Sequence, residues 1–486
     1  MRILMISSEV ETFARTGGLG DAVYGLSRAL ARLGHDVCVV TPLYGTTPIP
    51  EQHQFWMDGI HVRVGWGPDD VRTCGVCEVR DTSVTKNGGT LRFCLLANDW
   101  LFGSRRGVYG DDSGTFGDNE LRFATMSRGA LEVAARLWPD GVDVIHAHDW
   151  HAALGIVYAR ATMGEAWARV RSIFTVHNLA YQGVLGTDAL DRLGIPRGLF
   201  HGMCLEQDGN VNLLKGAVAL CDVVTTVSPT YAREIQRRGN GFYLEWFFRM
   251  NARKLIGITN GIDEERFDPT TEPRIAERYD AESVWKGKWT CKQALVSEMD
   301  LGWADAPLFG CVSRLTEQKG IDLLYDSLGA LVDRGARVVL VGKGDARLED
   351  MLHHASLRYQ GHVATRIAFD AALATRVYAG CDFVVVPSRF EPCGLTQMYA
   401  MRFGAIPVVT DVGGLHDTVE PANLARGTGT GFVASSPSVV DLLVSFEDAL
   451  SAFLARGAFT ELRQRAMQRD SSWATSAQRY VDVYRG

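Results

Sequence analysis

Two basic residues stand five positions apart in "CVSRLTEQKGIDLL". Arg314 and Lys319 follow an apolar run and precede Ile321, Leu324 and Leu328, which fall at helical spacing. Two cations at the carboxyl end of a buried strand can clamp a diphosphate, each contributing about 4 kcal/mol of Coulomb attraction at 4 Å with an effective dielectric near 20. A second reading leaves them solvated, or paired with Glu317 and Asp322. Further on, "DFVVVPSRFEPCGLTQMYA" places Glu391 in a loop between a very apolar run and a helix expected to open near Gly394. A carboxylate beside backbone amides at a helix start can accept sugar hydroxyls while the amides hold a phosphate. A capping acid has the same pattern. Near the start, "FARTGGLGDAVYGLSRALARLG" puts Arg15 and a run of glycines between a strand and a helix whose apolar face is Val23, Leu26, Leu30 and Leu33. Such a turn offers N–H groups and a positive dipole end to an anion, and equally serves as a tight connection with no ligand.

Histidines form the other candidate group. His177 follows the apolar run "SIFTV", and His146, His148 and His151 have H-x-H-x-x-H spacing. His177 reads either as a site residue or as a structural histidine at a strand end. The triplet straddles a strand and a helix start, and no metal is expected there.

These residues need strands and helices to position them. The runs "ILMIS", "DVCVV", "LRFCLL", "VDVIHAH", "SIFTVH" and "DVVTTV" occupy the first half, and "PLFGCVS", "ARVVLVG", "TRIAF", "DFVVVP", "IPVVT" and "GTGFVA" the second. They are continuously apolar and alternate with helical patterns, which predicts parallel strands covered on both faces. The polar stretch "NGIDEERFDPTTEPRIAERYDAES" separates the two sets, and a linker is expected near Lys254 to Asn260. Two doubly wound α/β domains facing one another would surround one ligand-binding cleft with their strand ends. "RTGGLGD" and "DVGGLHD" echo each other across the halves but are too short to establish a duplication.

A chain of 486 residues is long enough for two or three domains. Its net charge of −7, without a long basic run, argues against nucleic acid or an anionic membrane as the main partner. Ten scattered cysteines contain one C-x-x-C, Cys74 and Cys77, with no second pair at zinc spacing. They read as reduced thiols of a cytoplasmic protein. The first strand begins at once, with no charged leader, and no run approaches about 18 apolar residues, so neither secretion nor membrane spanning is expected. A nicotinamide site would need G-x-G-x-x-G and an acid about 20 residues on, and "TGGLGDA" does not fit.

Taken in order over nearly the whole chain, "RTGGLGD", "HAHDWHA", "FTVHNLAYQG", "VSRLTEQKG" and "SRFEPCGLTQ" resemble the bacterial glycogen synthases, relatives of the plant starch synthases. The resemblance implies a GT-B glycosyltransferase of two Rossmann-like domains. Residues 1–253 would form the acceptor-side domain and 254–470 the donor domain, with a helix at 471–486 crossing back to the first. It implies transfer of glucose from ADP-glucose to the non-reducing end of an α-1,4-glucan such as glycogen, with retention and without a cofactor or metal. Arg314 and Lys319 would then neutralise the diphosphate, and Glu391 would hold glucose hydroxyls. The amides around Gly394, Leu395 and Thr396 would face the phosphate, with Cys393 in the same loop. His177 and Asn260 would reach the glucose, with His177 beside the anomeric carbon. Arg15, Gly18 and Asp21 would line the donor, and Asp149 would serve the acceptor side.

Two positions depart from the pattern. Most members of the family carry lysine where this chain has Arg15. Many retaining relatives have a second glutamate eight residues after the first, where this chain has Tyr399. A transferase using UDP-glucose or a short acceptor, and a non-catalytic glucan-binding or nucleotide-sugar-binding protein, are the alternatives.

Overall fold

The computed structural model describes residues 1–111, 113–302 and 305–486. Two compact units result. One is Met1–Gly261 with Trp473–Gly486, and the other is Ile262–Ser472.

The first unit is built on a ten-stranded sheet. Its main strands are β1 (Arg2–Ile6), β2 (Asp36–Pro42), β3 (Ile60–Arg63), β4 (Val71–Arg80), β5 (Thr90–Ala97), β6 (Val144–His148), β7 (Arg171–Val176), β8 (Val223–Thr226) and β9 (Leu255–Gly257). The order is β9-β8-β7-β6-β1-β2-β5-β4, ending on the two-residue strand Gln54–Phe55, with β3 pairing β4. From β9 to β5 all neighbours are parallel. The β4 edge is antiparallel to both β5 and β3.

Alternate side chains of the parallel strands enter two cores. Leu4, Ile6, Cys38 and Val40 pack with residues of α2 (Asn119–Leu137) and α3 (Asp149–Ala161). Ile3, Met5, Val37 and Val39 pack with α1 (Gly18–Arg32) and with Trp473, Tyr480 and Tyr484 of the C-terminal helix (Trp473–Arg485). Coverage on both faces is why these runs carry no polar alternation.

The second unit has a six-stranded sheet of β10 (Leu308–Val312), β11 (Arg337–Gly342), β12 (Val363–Ile367), β13 (Phe383–Val386), β14 (Ile406–Thr410) and β15 (Phe432–Ala434). The order is β12-β11-β10-β13-β14-β15, parallel throughout. The boundary between units falls after Gly261 rather than after 253. The segment expected to be a linker contains β9, which pairs in register with β8. All ten cysteines are buried thiols outside any disulfide, Cys74 and Cys77 among them on β4.

Strand order also decides which loops meet. In the first unit it reverses between β1 and β6, so the glycine turn after β1 lies beside the Asp149 turn after β6. In the second it reverses between β10 and β13, which brings the Arg314–Lys319 loop beside the Glu391 loop. Open α/β sheets bind ligands in such crevices, at the carboxyl ends of the strands.

Candidate active site

In the second unit, Lys319 Nζ donates to Glu391 Oε2 at 2.6 Å, and the Ser388 hydroxyl donates to the same oxygen at 2.9 Å. Lys319 therefore pairs with neither Glu317 nor Asp322. The Asp322 carboxylate is held by both Nη atoms of Arg389 at 2.7 Å. Arg314 is exposed and bonded through its side chain to nothing among the described residues. Arg314, Lys319 and Glu391 sum to one formal positive charge, because Glu391 has already claimed one of the two cations.

The Glu391 loop is held from behind. Gly414 N, in the short helix Gly413–Thr418, donates to Glu391 O at 2.9 Å, and a Cβ at Gly414 would lie 2.3 Å from the Cys393 Cα. Gln397 donates to the Cys393 and Gly394 carbonyls at 3.2 and 2.8 Å, turning them inward. Gly394 has φ +74°, in the left-handed region that glycine enters without steric cost. The helix opens at Thr396, two residues beyond Gly394, as α4 (Thr396–Arg402). With the carbonyls turned inward, the amides of Gly394, Leu395 and Thr396 donate to no group among the described residues. Cys393 is buried in the same loop.

In the first unit, the glycine turn already holds an anion of its own. Glu9, buried at the end of β1, accepts from Thr16 N at 2.6 Å and Gly17 N at 3.1 Å through Oε2. Its Oε1 accepts from the Thr16 and Tyr109 hydroxyls, each at 2.6 Å. These two turn amides are therefore not open to a ligand, contrary to the expectation that the turn as a whole faces an anion. Gly18 and Asp21 lie in the first turn of α1, which has no side-chain cap. Arg15 reaches Asp21 Oδ2 through Nε and Nη2, both at 3.0 Å.

His177, just beyond β7, is gripped by the turn after β6. Its backbone N–H donates to Asp149 Oδ1 at 2.7 Å, and its Nε2 lies 3.0 Å from His148 Nδ1. Asp149 is at φ +58° and buried, and burial pushes its carboxyl up to about 7 against the opposing hydrogen bonds from His177 and Asn178. Burial pushes His146, His151 and His177 down to about 3 and His148 well below its ordinary value. The H-x-H-x-x-H side chains have separate engagements. His146 bonds Tyr484 and Thr175, His148 faces His177, and His151 stacks on Tyr109. Asn260 is buried just beyond β9.

Residues 2–250 match the family described as "Starch synthase catalytic domain", and residues 306–450 match "Glycosyl transferases group 1". The chain is 41% identical over its full length to a glycogen synthase of Anaeromyxobacter dehalogenans (strain 2CP-C), covering 99% of that protein. It belongs to the glycogen synthase family. Another glycogen synthase, from Myxococcus xanthus (strain DK1622), is also 41% identical with the same coverage. "Glycogen synthase 2" of Agrobacterium fabrum is 39% identical over the whole chain and 92% of its own length. The solved catalytic domain of Starch Synthase IV from Arabidopsis thaliana, bound to ADP and acarbose, superposes with a TM-score of 0.90 at 28% identity, covering 100% of this chain and 98% of that one. As a member of the glycogen synthase family the chain is a glycosyltransferase with the GT-B fold. Among the described residues no helix is long and apolar enough to cross a membrane.

Sequence reasoning did not single out Glu9, Tyr109, Ser388 or Tyr484, and it read His148 only as part of the H-x-H-x-x-H triplet, without its contact to His177. Glu9 left a signal, an acid shortly after an apolar strand and before a turn rich in N–H donors. Tyr109 left none, since it reaches Glu9 from a loop about a hundred residues away.

Proposed function

We propose that this glycogen synthase family member transfers glucose from ADP-glucose to the non-reducing end of an α-1,4-glucan such as glycogen, with retention at the anomeric carbon. The observation that carries the reading is the second unit's switch-point loop. A Lys–Glu pair lies there with an arginine and three amides that have no partner among the described residues. A diphosphate would take the amides of Gly394 to Thr396 together with Arg314 and Lys319, and Glu391 would take glucose hydroxyls. That a related starch synthase domain binds ADP and acarbose supports both ligands.

Catalysis then rests on positioning and on stabilising the departing diphosphate as the glycosidic bond loosens. The acceptor hydroxyl attacks from the same face, and a phosphate oxygen of the leaving group takes its proton. His177 and Asn260 would contact the glucose. Arg15, Gly18 and Asp21 would line the donor, and Asp149 would hold the His177 backbone on the acceptor side. The cations on Arg314 and Lys319 take the place of a divalent metal. Ten buried thiols suit the reducing cytoplasm, where the donor and polymer would be met.

The test is incubation with labelled ADP-glucose and glycogen in excess chelator, beside UDP-glucose. Label incorporated into polymer, faster from ADP-glucose and insensitive to chelator, is the expected result. Donor binding without transfer would favour a sensor, and preference for UDP-glucose would reassign the donor, with Arg15 as the first residue to examine.

A further inference from the structure

His148 ends β6, His177 follows β7, and the two strands are parallel neighbours, so the rings meet at a tilt of 42° with centroids 5.3 Å apart. One proton lies between His148 Nδ1 and His177 Nε2, because burial keeps both rings neutral. Only two arrangements are open. If His177 donates through Nε2, then His148 must carry its own proton on Nε2. That nitrogen is buried and has no hydrogen-bond partner among the described residues. If His148 donates from Nδ1, its buried Nε2 is a bare lone pair, and the His177 proton moves to Nδ1. An orphaned buried N–H is among the rarest features of folded proteins, and an orphaned acceptor is better tolerated. The second arrangement is favoured.

We propose that His148 is a positioning residue that fixes His177 as its Nδ1–H tautomer, so that His177 meets the sugar as a hydrogen-bond donor and not as a base. This rests on the glucosyl-transfer reading for its ligand.

The surroundings hold His148 firmly enough for the task. Its ring lies against His146 with centroids 4.0 Å apart. His146 is pinned at Nδ1 by the Tyr484 hydroxyl at 2.8 Å and at Nε2 by Thr175 Oγ1 at 2.6 Å. Thr175 is bonded onward to Thr225 at 2.6 Å. The next residue, Asp149, holds the His177 backbone, so the two adjacent residues fix both the ring and the main chain of His177. A histidine protonated at Nδ1, whose Nε2 lone pair is occupied by His148, cannot take the acceptor's proton. That leaves the proton to the phosphate of the leaving group.

The experiment uses full-length protein with ¹⁵N-labelled histidine. Long-range ¹H–¹⁵N correlation reads the tautomer of each ring, and His177→Asn assigns the signal. The expected spectrum has His177 protonated at Nδ1 and bare at Nε2. His148→Leu should lower kcat about ten- to hundredfold with donor KM little changed, and should move the His177 proton toward Nε2. His148→Asn keeps an N–H near the position of Nδ1 and should restore most of the rate. Wild-type protein with His177 protonated at Nε2 overturns the proposal, and that spectrum decides even if His148→Leu fails to fold. Folded His148→Leu with wild-type turnover also overturns it. A wild-type chain that transfers no glucose yet shows the Nδ1–H form would overturn the transfer reading and support the tautomer assignment.

Discussion

Lys319→Met tests whether the Lys319–Glu391 pair belongs to the chemistry or only braces the loop. The substitution removes an ammonium 2.6 Å from a carboxylate whose side chain is 6% exposed, leaving it the Ser388 hydroxyl as its hydrogen-bond partner among the described residues. At that distance the gross Coulomb attraction is about 6 kcal/mol with an effective dielectric near 20. Removing one member of a buried pair costs about 3–5 kcal/mol net, and water reaching the 19%-exposed lysine argues for the low end, about 3 kcal/mol. For a unit of this size that is a fall of roughly 6–12 °C in the unfolding midpoint.

Glu391→Gln in the same background removes the stranded charge and should return about 1–3 kcal/mol. Activity should behave differently. Each single variant should lose about 10²- to 10³-fold in kcat, because each removes a contact that strengthens as the diphosphate departs, and the double variant should not recover. Thermal unfolding and ADP-glucose transfer on the four proteins complete the cycle. If Lys319→Met is as stable as wild type, the pair is not the buried contact described. If turnover recovers along with stability in the double variant, the pair is a strut.

Arg15→Ala should raise the donor KM by about tenfold or more with a smaller change in kcat, since it also releases Asp21. Unchanged constants for both Arg15→Ala and Arg15→Lys with ADP- and UDP-glucose would remove Arg15 from the donor site. The first unit should lose stability as pH falls below 6.5. Its buried histidines take up protons in the unfolded chain at that pH but in the folded chain only near 3, so each contributes a slope of about 1.4 kcal/mol per pH unit in between. Asp149 runs the other way. Its raised carboxyl favours the fold at low pH, and that contribution is lost as pH rises through about 7, so Asp149→Asn should stabilise the protein at pH 8 and steepen the acid loss. Urea unfolding at stepped pH measures both effects. Gly414→Ala has no room for its Cβ against Cys393 and should cost at least about 2 kcal/mol together with most of the transfer activity, whereas wild-type kinetics would show that the loop can yield.

What was legible in the sequence follows from how each feature is encoded. Twelve continuous apolar runs became the parallel strands, because burial on both faces leaves a mark in every residue. The antiparallel edge was missed, because "VRTCGVCEVR" mixes exposed and buried positions. β9 falls within the expected linker because three residues at a sheet edge carry too little pattern. Lys319 and Glu391 were legible as motif residues, but their contact was not. They are 72 positions apart and meet only because the strand order reverses between β10 and β13. The motif points Asp149 to the acceptor side, but its work as an acceptor for two backbone amides depends on a left-handed turn that the sequence does not announce.

The glycine turn "RTGGLGD" and the Glu391 loop "SRFEPCGLTQ" differ in a way that assigns the phosphate. In the first unit the carboxylate of Glu9 spends its lone pairs on the amides of Thr16 and Gly17, so the turn's capacity for anions is partly consumed from inside. In the second unit Glu391 is satisfied by a cation and a hydroxyl, and the amides of Gly394, Leu395 and Thr396 remain unspent among the described residues. A diphosphate should therefore bind chiefly to the second loop. Arg314→Ala should then weaken ADP affinity by about tenfold or more, the loss of one charge-assisted contact of about 1.5–3 kcal/mol. Glu9→Gln, which loosens the turn without touching the second loop, should lower turnover while ADP binds as before. Calorimetric titration of ADP into the two variants separates the cases, and weakened binding in Glu9→Gln with unchanged binding in Arg314→Ala would put the phosphate on the first unit instead.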